Sequence, residues 1–261
     1  MQEGFPFSPS KNGGGDYPTA FLQSPGKNTN GKTMFQLDLG GGGRHDRPLN
    51  VLCLGAHSDD IEIGCGGTLL KLAADRRDIN VRWFVFGATG EREREAIESA
   101  SLFLEGVKEK KVEVRQFRDS FFPYEGLHIK EVFEEIKRDF KPDLIFTHYR
   151  HDLHQDHRVI SDFTWNTFRD HFILEYEIPK YDGDLGSPNV FVLLDDTMAA
   201  RKVQVIMSAF QSQRKKHWFT EDTFLSILRI RGMESGSSGK YAEGYYCRKA
   251  VVSFSFPPSA T

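Results

Sequence analysis

The sequence predicts an α/β fold: a Rossmann-like, doubly wound, mostly parallel sheet with helices on both faces. Three observations predict it. From residue 49 onward, short apolar runs alternate with helical patterns, as in a chain of βαβ units. Some of these runs, such as Val51-Leu52-Cys53-Leu54, are apolar without a break, which marks strands buried on both faces. Residues able to do chemistry lie just past two of the strands: His57, Asp59 and Asp60 after one, four histidines after another. In open α/β sheets that is where ligands bind.

Residues 1–48 precede this pattern and are rich in Gly, Pro, Ser, Asn and Lys. No hydrophobic period runs through them, so burial would not offset the entropy of ordering. A low-complexity, disordered extension is expected. Gly40 to Gly43 is no phosphate loop, because no Lys-Ser/Thr follows in the Walker spacing. Whether Phe35 to Leu39 adds an edge strand is left open.

Leu49 to Leu54 reads as the first strand, Gly55 to Asp60 as the loop leaving it, and Leu69 to Arg76 as a helix. Val81 to Phe86 is the second strand, followed by the loop Gly87-Ala88-Thr89-Gly90. Glu91 to Glu105 is a charged helix with its apolar side at Ala96, Ala100, Phe103 and Leu104. Val112 to Phe117 is the third strand. Ile129, Val132, Phe133, Ile136 and Phe140 recur at helical spacing, and Lys141-Pro142-Asp143 stops that helix. Leu144 to Thr147 is the fourth strand.

Asp152 and Gln155 fit a capping box, so a helix is expected from Leu153 through Phe168. Phe172 to Ile178 and Val190 to Leu194 read as strands flanking a loop from Pro179 to Asn189. Helices follow at Thr197 to Phe210 and Glu221 to Arg229, then Tyr241 to Tyr246 and a last short strand near Val251. No internal repeat is visible, so residues 49–255 are expected to form a single domain, with 256–261 as a tail.

Composition narrows the function. Of 261 residues 39% are hydrophobic, enough for a core, and the net charge of −3 gives no argument for nucleic acid. Cys53, Cys65 and Cys247 are odd in number and lack CxxC spacing, so they read as thiols in a reducing compartment. No apolar stretch is long enough to span a bilayer, and no signal-peptide pattern opens the chain. A cytoplasmic protein is expected; no oligomeric state can be assigned.

His57 and Asp60, three residues apart, can turn to one metal ion, and an imidazole with a carboxylate suits zinc or a similar first-row ion. Asp59 is then free to act on water. Alone, the Asp59-Asp60 pair would read as a helix cap. The second cluster changes that reading: His148, His151, His154 and His157 are four of nine histidines within ten residues. His154 and His157 would share one helix face. A rival site built only from these four histidines lacks the carboxylate that catalytic zinc sites often use.

Ala56-His57-Ser58-Asp59-Asp60 and the later His154-Gln155-Asp156-His157 together resemble the PIG-L/LmbE-type N-acetylglucosaminyl deacetylases, over roughly residues 49–250. The resemblance implies a zinc-dependent N-deacetylase acting on a small N-acetylated amino sugar or glycoconjugate. It implies His57, Asp60 and His157 as metal ligands and Asp59 as general base. It also implies His154 as oxyanion stabiliser and general acid, oriented by Asp156. Ser58 replaces the family's usual Pro, and Asp152 stands where some relatives carry Tyr, with Tyr149 a candidate substitute.

Arg92 and Asp119 fall just beyond strand ends and are candidates to bind substrate hydroxyls. Tyr181, Trp218, Tyr241 and Tyr245 are candidates to stack on a sugar, though aromatics as often serve the core. Two other classes compete. A binding protein with a structural metal would need four protein ligands, where three are implied. A dinucleotide enzyme is disfavoured because Gly64-x-Gly66-Gly67 lacks the GxGxxG spacing.

Overall fold

The computed structural model describes residues 21–23, 36–38, 47–75 and 78–251. Expectations for the rest of residues 1–48 and for 252–261 lie outside these. β1 (Phe21–Gln23) and β2 (Gln36–Asp38) pair antiparallel in a two-stranded ladder. Part of the Phe35 to Leu39 run is therefore a strand, but not one of the main sheet.

The main sheet has seven strands: β3 (Leu49–His57), β4 (Ile79–Gly87), β5 (Glu109–Val114), β6 (Leu144–His148), β7 (Phe172–Tyr176), β8 (Val190–Leu194) and β9 (Tyr241–Cys247). Their order is β5-β4-β3-β6-β7-β9-β8. β3 pairs in parallel with β4 and β6, as do β4 with β5 and β6 with β7. β9 runs antiparallel to both β7 and β8. The winding leaves β3 in one direction through β4 and β5, and β6 in the other through β7. It reverses between β3 and β6, so the loops leaving those two strands part and form the crevice where such folds bind ligands.

Six α-helices cover the sheet: α1 (Asp60–Asp75), α2 (Glu91–Phe103), α3 (Gly126–Asp139), α4 (Gln155–Thr167), α5 (Asp196–Ala209) and α6 (Glu221–Glu234). Alternate residues of β3 serve the two faces. Val51 and Cys53 pack into a core with Ile61, Ala96, Ile206 and Phe224 from α1, α2, α5 and α6. Leu52 and Leu54 pack into a second core with Ile129, Phe133 and Ile160 from α3 and α4. Both faces are thus covered, as the uninterrupted apolar strands require. Among the described residues no helix is long and apolar enough to cross a membrane.

Several boundaries differ from expectation for physical reasons. α1 begins at Asp60 rather than Leu69. Its glycines hide it, because each is a poor helix former, yet they are what lets the helix pack. A Cβ on Gly64 would lie 2.1 Å from the Tyr176 ring. β5 starts three residues earlier than expected, in register with β4, while Gln116 makes only an isolated bridge to Gly87. α4 begins at Gln155 with His154 as its N-cap, not at Leu153 behind a capping-box Asp152. β7 stops at Tyr176, β9 extends to Cys247, and Val251 is not in a strand.

Candidate metal centre

The strands carry the two motifs to the switch point. His57 is the last residue of β3 and His148 the last of β6, the neighbouring strand. Ser58 and Asp59 turn the chain into α1, and Asp60 opens that helix, its Oδ2 accepting the His57 N–H at 2.6 Å. His154, Asp156 and His157 come from the first turn of α4 and its cap. The crevice between β3 and β6 therefore gathers residues about a hundred positions apart.

Three residues bring ligand-type atoms together there. His57 Nδ1 lies 3.2 Å from His157 Nε2 and 3.4 Å from Asp60 Oδ2, and His157 Nε2 lies 3.5 Å from Asp60 Oδ1. The edge of a tetrahedral zinc site with bonds near 2.0–2.1 Å is about 3.3–3.4 Å, so these three residues are spaced to hold one ion.

The outer ring nitrogens are held as metal-ligating imidazoles require. His157 Nδ1 faces Asp152 Oδ2 at 2.9 Å. His57 Nε2 faces Asp156 Oδ2 at 3.2 Å and Asp119 Oδ1 at 3.4 Å. With each proton on the outer nitrogen, the inner nitrogens and Asp60 are three acceptors with no donor among them. A cation satisfies all three, and the donor set fits a first-row divalent ion.

Without a metal, a proton takes that place. Burial alone would lower the His57 pKa, but Asp60, Asp119 and Asp156 outweigh it and raise it well above its ordinary value. Burial would raise the Asp60 pKa, but His157, His148 and His57 hold it well below the carboxylate range. Burial, with His148 next, pushes His157 down to about 3. His57 and Asp60 thus form the charged pair at the centre, and His157 stays neutral.

Asp59 stands outside the ligand cluster. Its Oδ1 is 3.4 Å from Arg92 Nη2, and the same guanidinium donates to Ser58 Oγ at 3.1 Å and to Asp119 Oδ2 at 3.1 Å. Burial first, then Asp60, raises the Asp59 pKa against the pull of Arg92. A carboxylate made more basic in this way is suited to accept a proton. Arg92 and Asp119, expected to bind substrate, are joined to each other, and Arg92 also reaches Asp59.

His154 stacks on His157 with ring centroids 4.5 Å apart and meets His57 edge-on at 4.9 Å. Its Nδ1 accepts the Asp156 N–H at 3.3 Å, which leaves Nε2 as the donor of the neutral ring. Burial and the field of His57 lower its pKa, in keeping with that form. Asp156 departs from its expected role of orienting His154. Its carboxylate accepts from Ser120 N–H at 2.6 Å and Phe122 N–H at 3.1 Å and faces His57. Only its backbone reaches His154.

The structure also brings in residues that sequence reasoning missed. Asp152 was read as a helix cap, yet it holds His157 and accepts the His154 N–H at 2.7 Å. Ser120, at a positive φ of 68°, aims its N–H at Asp156, and Gln155 Nε2 donates to its carbonyl. His148 is buried in the site, but its Nε2 accepts the Ala56 N–H at 2.9 Å. His151 is exposed and packs against Tyr149. The all-histidine site is therefore not assembled. Tyr149 stacks on Tyr246 at 3.7 Å.

Of the four aromatics proposed for stacking, Tyr245 is fully buried, against Phe146. Tyr181 is 64% exposed, with His217 at 4.9 Å and Trp218 at 6.4 Å. It follows Lys180, whose Nζ reaches Asp152.

Fold and site define a Rossmann-like α/β protein with a His/Asp centre at the switch point of its sheet. Residues 52–168 match the PIG-L family, described as GlcNAc-PI de-N-acetylase. This segment holds both motifs and is similar to that family, as the motifs led us to expect. Solved structures share the fold. The conserved protein TT1542 from Thermus thermophilus is 19% identical, with TM-score 0.62, covering 81% of this chain and 100% of that one. N,N'-diacetylchitobiose deacetylase from Pyrococcus horikoshii is 24% identical, with TM-score 0.57, covering 76% and 83%. GalB, the 4-carboxy-2-hydroxymuconate hydratase from Pseudomonas putida, is 14% identical, with TM-score 0.58, covering 80% and 100%. A deacetylase and a hydratase on one fold mean that the reaction has to be argued from the site.

Proposed function

We propose that the chain is a divalent-metal-dependent N-deacetylase acting on an N-acetylated amino sugar or a glycoconjugate carrying one. The observation that carries this reading is the convergence of acceptor atoms from three residues, His57, Asp60 and His157, 3.2 to 3.5 Å apart, within the PIG-L match. The deacetylase neighbour supports the same reaction. Zinc is the proposed ion on the chemistry of the ligands.

A bound divalent ion would supply Lewis-acid polarisation of the acetyl carbonyl and acidify water near neutral pH. Asp59, kept basic by burial and steadied by Arg92, takes the proton of the attacking water and passes it to the departing amine. The C–O bond forms as the carbonyl π bond opens to an oxyanion; the carbonyl then re-forms as the C–N bond breaks, releasing acetate and the free amine. His154 donates its Nε2 proton as a hydrogen bond to the developing oxyanion; one such donor is worth about 3 kcal/mol. If His154 also serves as general acid, as the motif implies, its protonated form takes part and rate falls on the alkaline side.

Arg92 and Asp119 would bind substrate hydroxyls at the edge of the centre. Tyr181 would stack on a sugar ring, its exposure arguing against a packing role. A closed structural metal site is disfavoured because the fourth nearby imidazole, His148, has its lone pair on Ala56 N–H. The test is acetate release, read by mass spectrometry, over a panel of N-acetylated amino sugars, nucleotide sugars and glycoconjugates. Release from at least one of them is expected. No release by metal-loaded protein, with water added to an unsaturated acid instead, would replace this reading with hydration.

A further inference from the structure

The centre is held from outside by a buried charge that neither motif contains. Lys180 lies in the loop after β7, and its ammonium sits between two carboxylates, 2.9 Å from Asp152 Oδ2 and 2.5 Å from Asp184 Oδ2. The three side chains are 8%, 2% and 6% exposed. Asp184 Oδ2 also accepts the Leu153 N–H at 2.7 Å, so the same loop is bonded to the segment leading into α4. Asp152 in turn divides its oxygens between the His154 N–H at 2.7 Å and His157 Nδ1 at 2.9 Å.

We propose that Lys180 is a positioning residue for the metal centre, acting through Asp152 on the ligand His157. The inference rests on the metal-site reading above. Asp152 accepts from His157 out of water, and a buried carboxylate is costly unless it is paired. Asp184 beside it makes that harder. One cation shared by the two carboxylates removes the conflict. Remove the ammonium, and Asp152 loses the cation that holds its carboxylate in place and turns toward water. His157 then loses the partner that fixes its tautomer and ring plane.

Partners of this kind typically change metal affinity by about 10- to 100-fold when mutated. A merely structural role for Lys180 would weaken folding and leave the affinity of the folded chain unchanged. The two predictions differ, so the proposal can fail.

The experiment measures zinc affinity by competition with a chromogenic chelator, and the visible absorption of the cobalt(II) form, on the full chain. Thermal midpoints of the metal-free proteins report folding separately. Wild type comes first: if it binds neither metal, the site reading itself fails. Given wild-type binding, Lys180→Met and Lys180→Gln are expected to bind zinc about 10- to 100-fold more weakly, with an altered cobalt spectrum. Lys180→Arg is expected to recover most of the affinity. Asp184→Asn leaves the Lys180–Asp152 pair and an acceptor for Leu153, and is expected to stay within about threefold of wild type. Wild-type affinity in whichever neutral variant folds would overturn the proposal. So would Asp184→Asn weakening zinc as much as loss of Lys180, or failure of Lys180→Arg to recover it.

Discussion

Asp59 and Asp60 are adjacent in sequence, yet the structure gives them different surroundings. Asp60 lies among three imidazoles and is held ionised; Asp59 lies against Arg92 and is made more basic. Asp59→Asn is expected to keep the fold and its metal while kcat falls by about 100- to 10,000-fold, the usual worth of a general base. Kinetics and metal content on one preparation check this; metal loss with Asp60→Asn unaffected would exchange the two roles. His57→Ala, Asp60→Ala and His157→Ala are expected to strip the ion, whereas the exposed His151→Ala is not. Full occupancy in His57→Ala, read by metal analysis, would contradict the ligand set.

The same residues set a pH dependence. The folded His57 pKa is raised, so its proton competes with the metal near neutrality and is lost only as pH rises through that value. Metal affinity should therefore climb with pH and fall on acidification, with a proton released on binding. A chelator competition series across pH reads it directly. His57, Asp59, Asp60, His154 and His157 were singled out in the sequence by their two motifs, and the structure gathers them at the switch point; the roles proposed for them come from the resemblance those motifs carry. Asp152, Lys180 and Ser120 were not. A carboxylate in a loop looks the same whether it caps a helix or holds an imidazole, and the partners of Asp152 come from chain segments brought together only by folding.

At the scale of elements, α1 shows best what packing decides. Gly64 and its neighbours Gly66 and Gly67 weaken any helical reading of residues 60–68, and replacing a helix-interior Gly by Ala normally gains about 1 kcal/mol. Here Tyr176 fills the space a Cβ would take, and its hydroxyl donates to the Leu54 carbonyl at 2.7 Å, so the ring is pinned. Gly64→Ala is expected to destabilise by about 1–3 kcal/mol, the usual cost of overpacking. Chemical denaturation measures it, and a stabilised variant would mean that Tyr176 moves aside. The amphipathic helix α3 was readable because its core side, Ile129, Val132, Phe133 and Ile136, is apolar at helical spacing. The early start of α1 and the N-cap of α4 were not, since both depend on contacts with distant residues.

For the whole molecule, alternation of strands and helices was enough to predict a doubly wound sheet, and the sheet places both motifs at its reversal point. Strand order was not readable, nor was the antiparallel insertion of β9 between β7 and β8, because apolar runs do not state their neighbours. All seven strands of the main sheet and all the site residues lie at or beyond Leu49. Deleting residues 1–44 is accordingly expected to leave the thermal midpoint and turnover nearly unchanged. A large drop in either would show that the deleted residues support the domain.

The central claim joins the metal centre to deacetylation, and one measurement addresses both. Acetate release from the substrate found in the panel is followed for the protein as purified, after exhaustive chelation, and after adding back one equivalent of zinc or another divalent ion. The account predicts activity lost on chelation and restored by about one ion per chain. Acetate release that survives complete removal of the metal would contradict it.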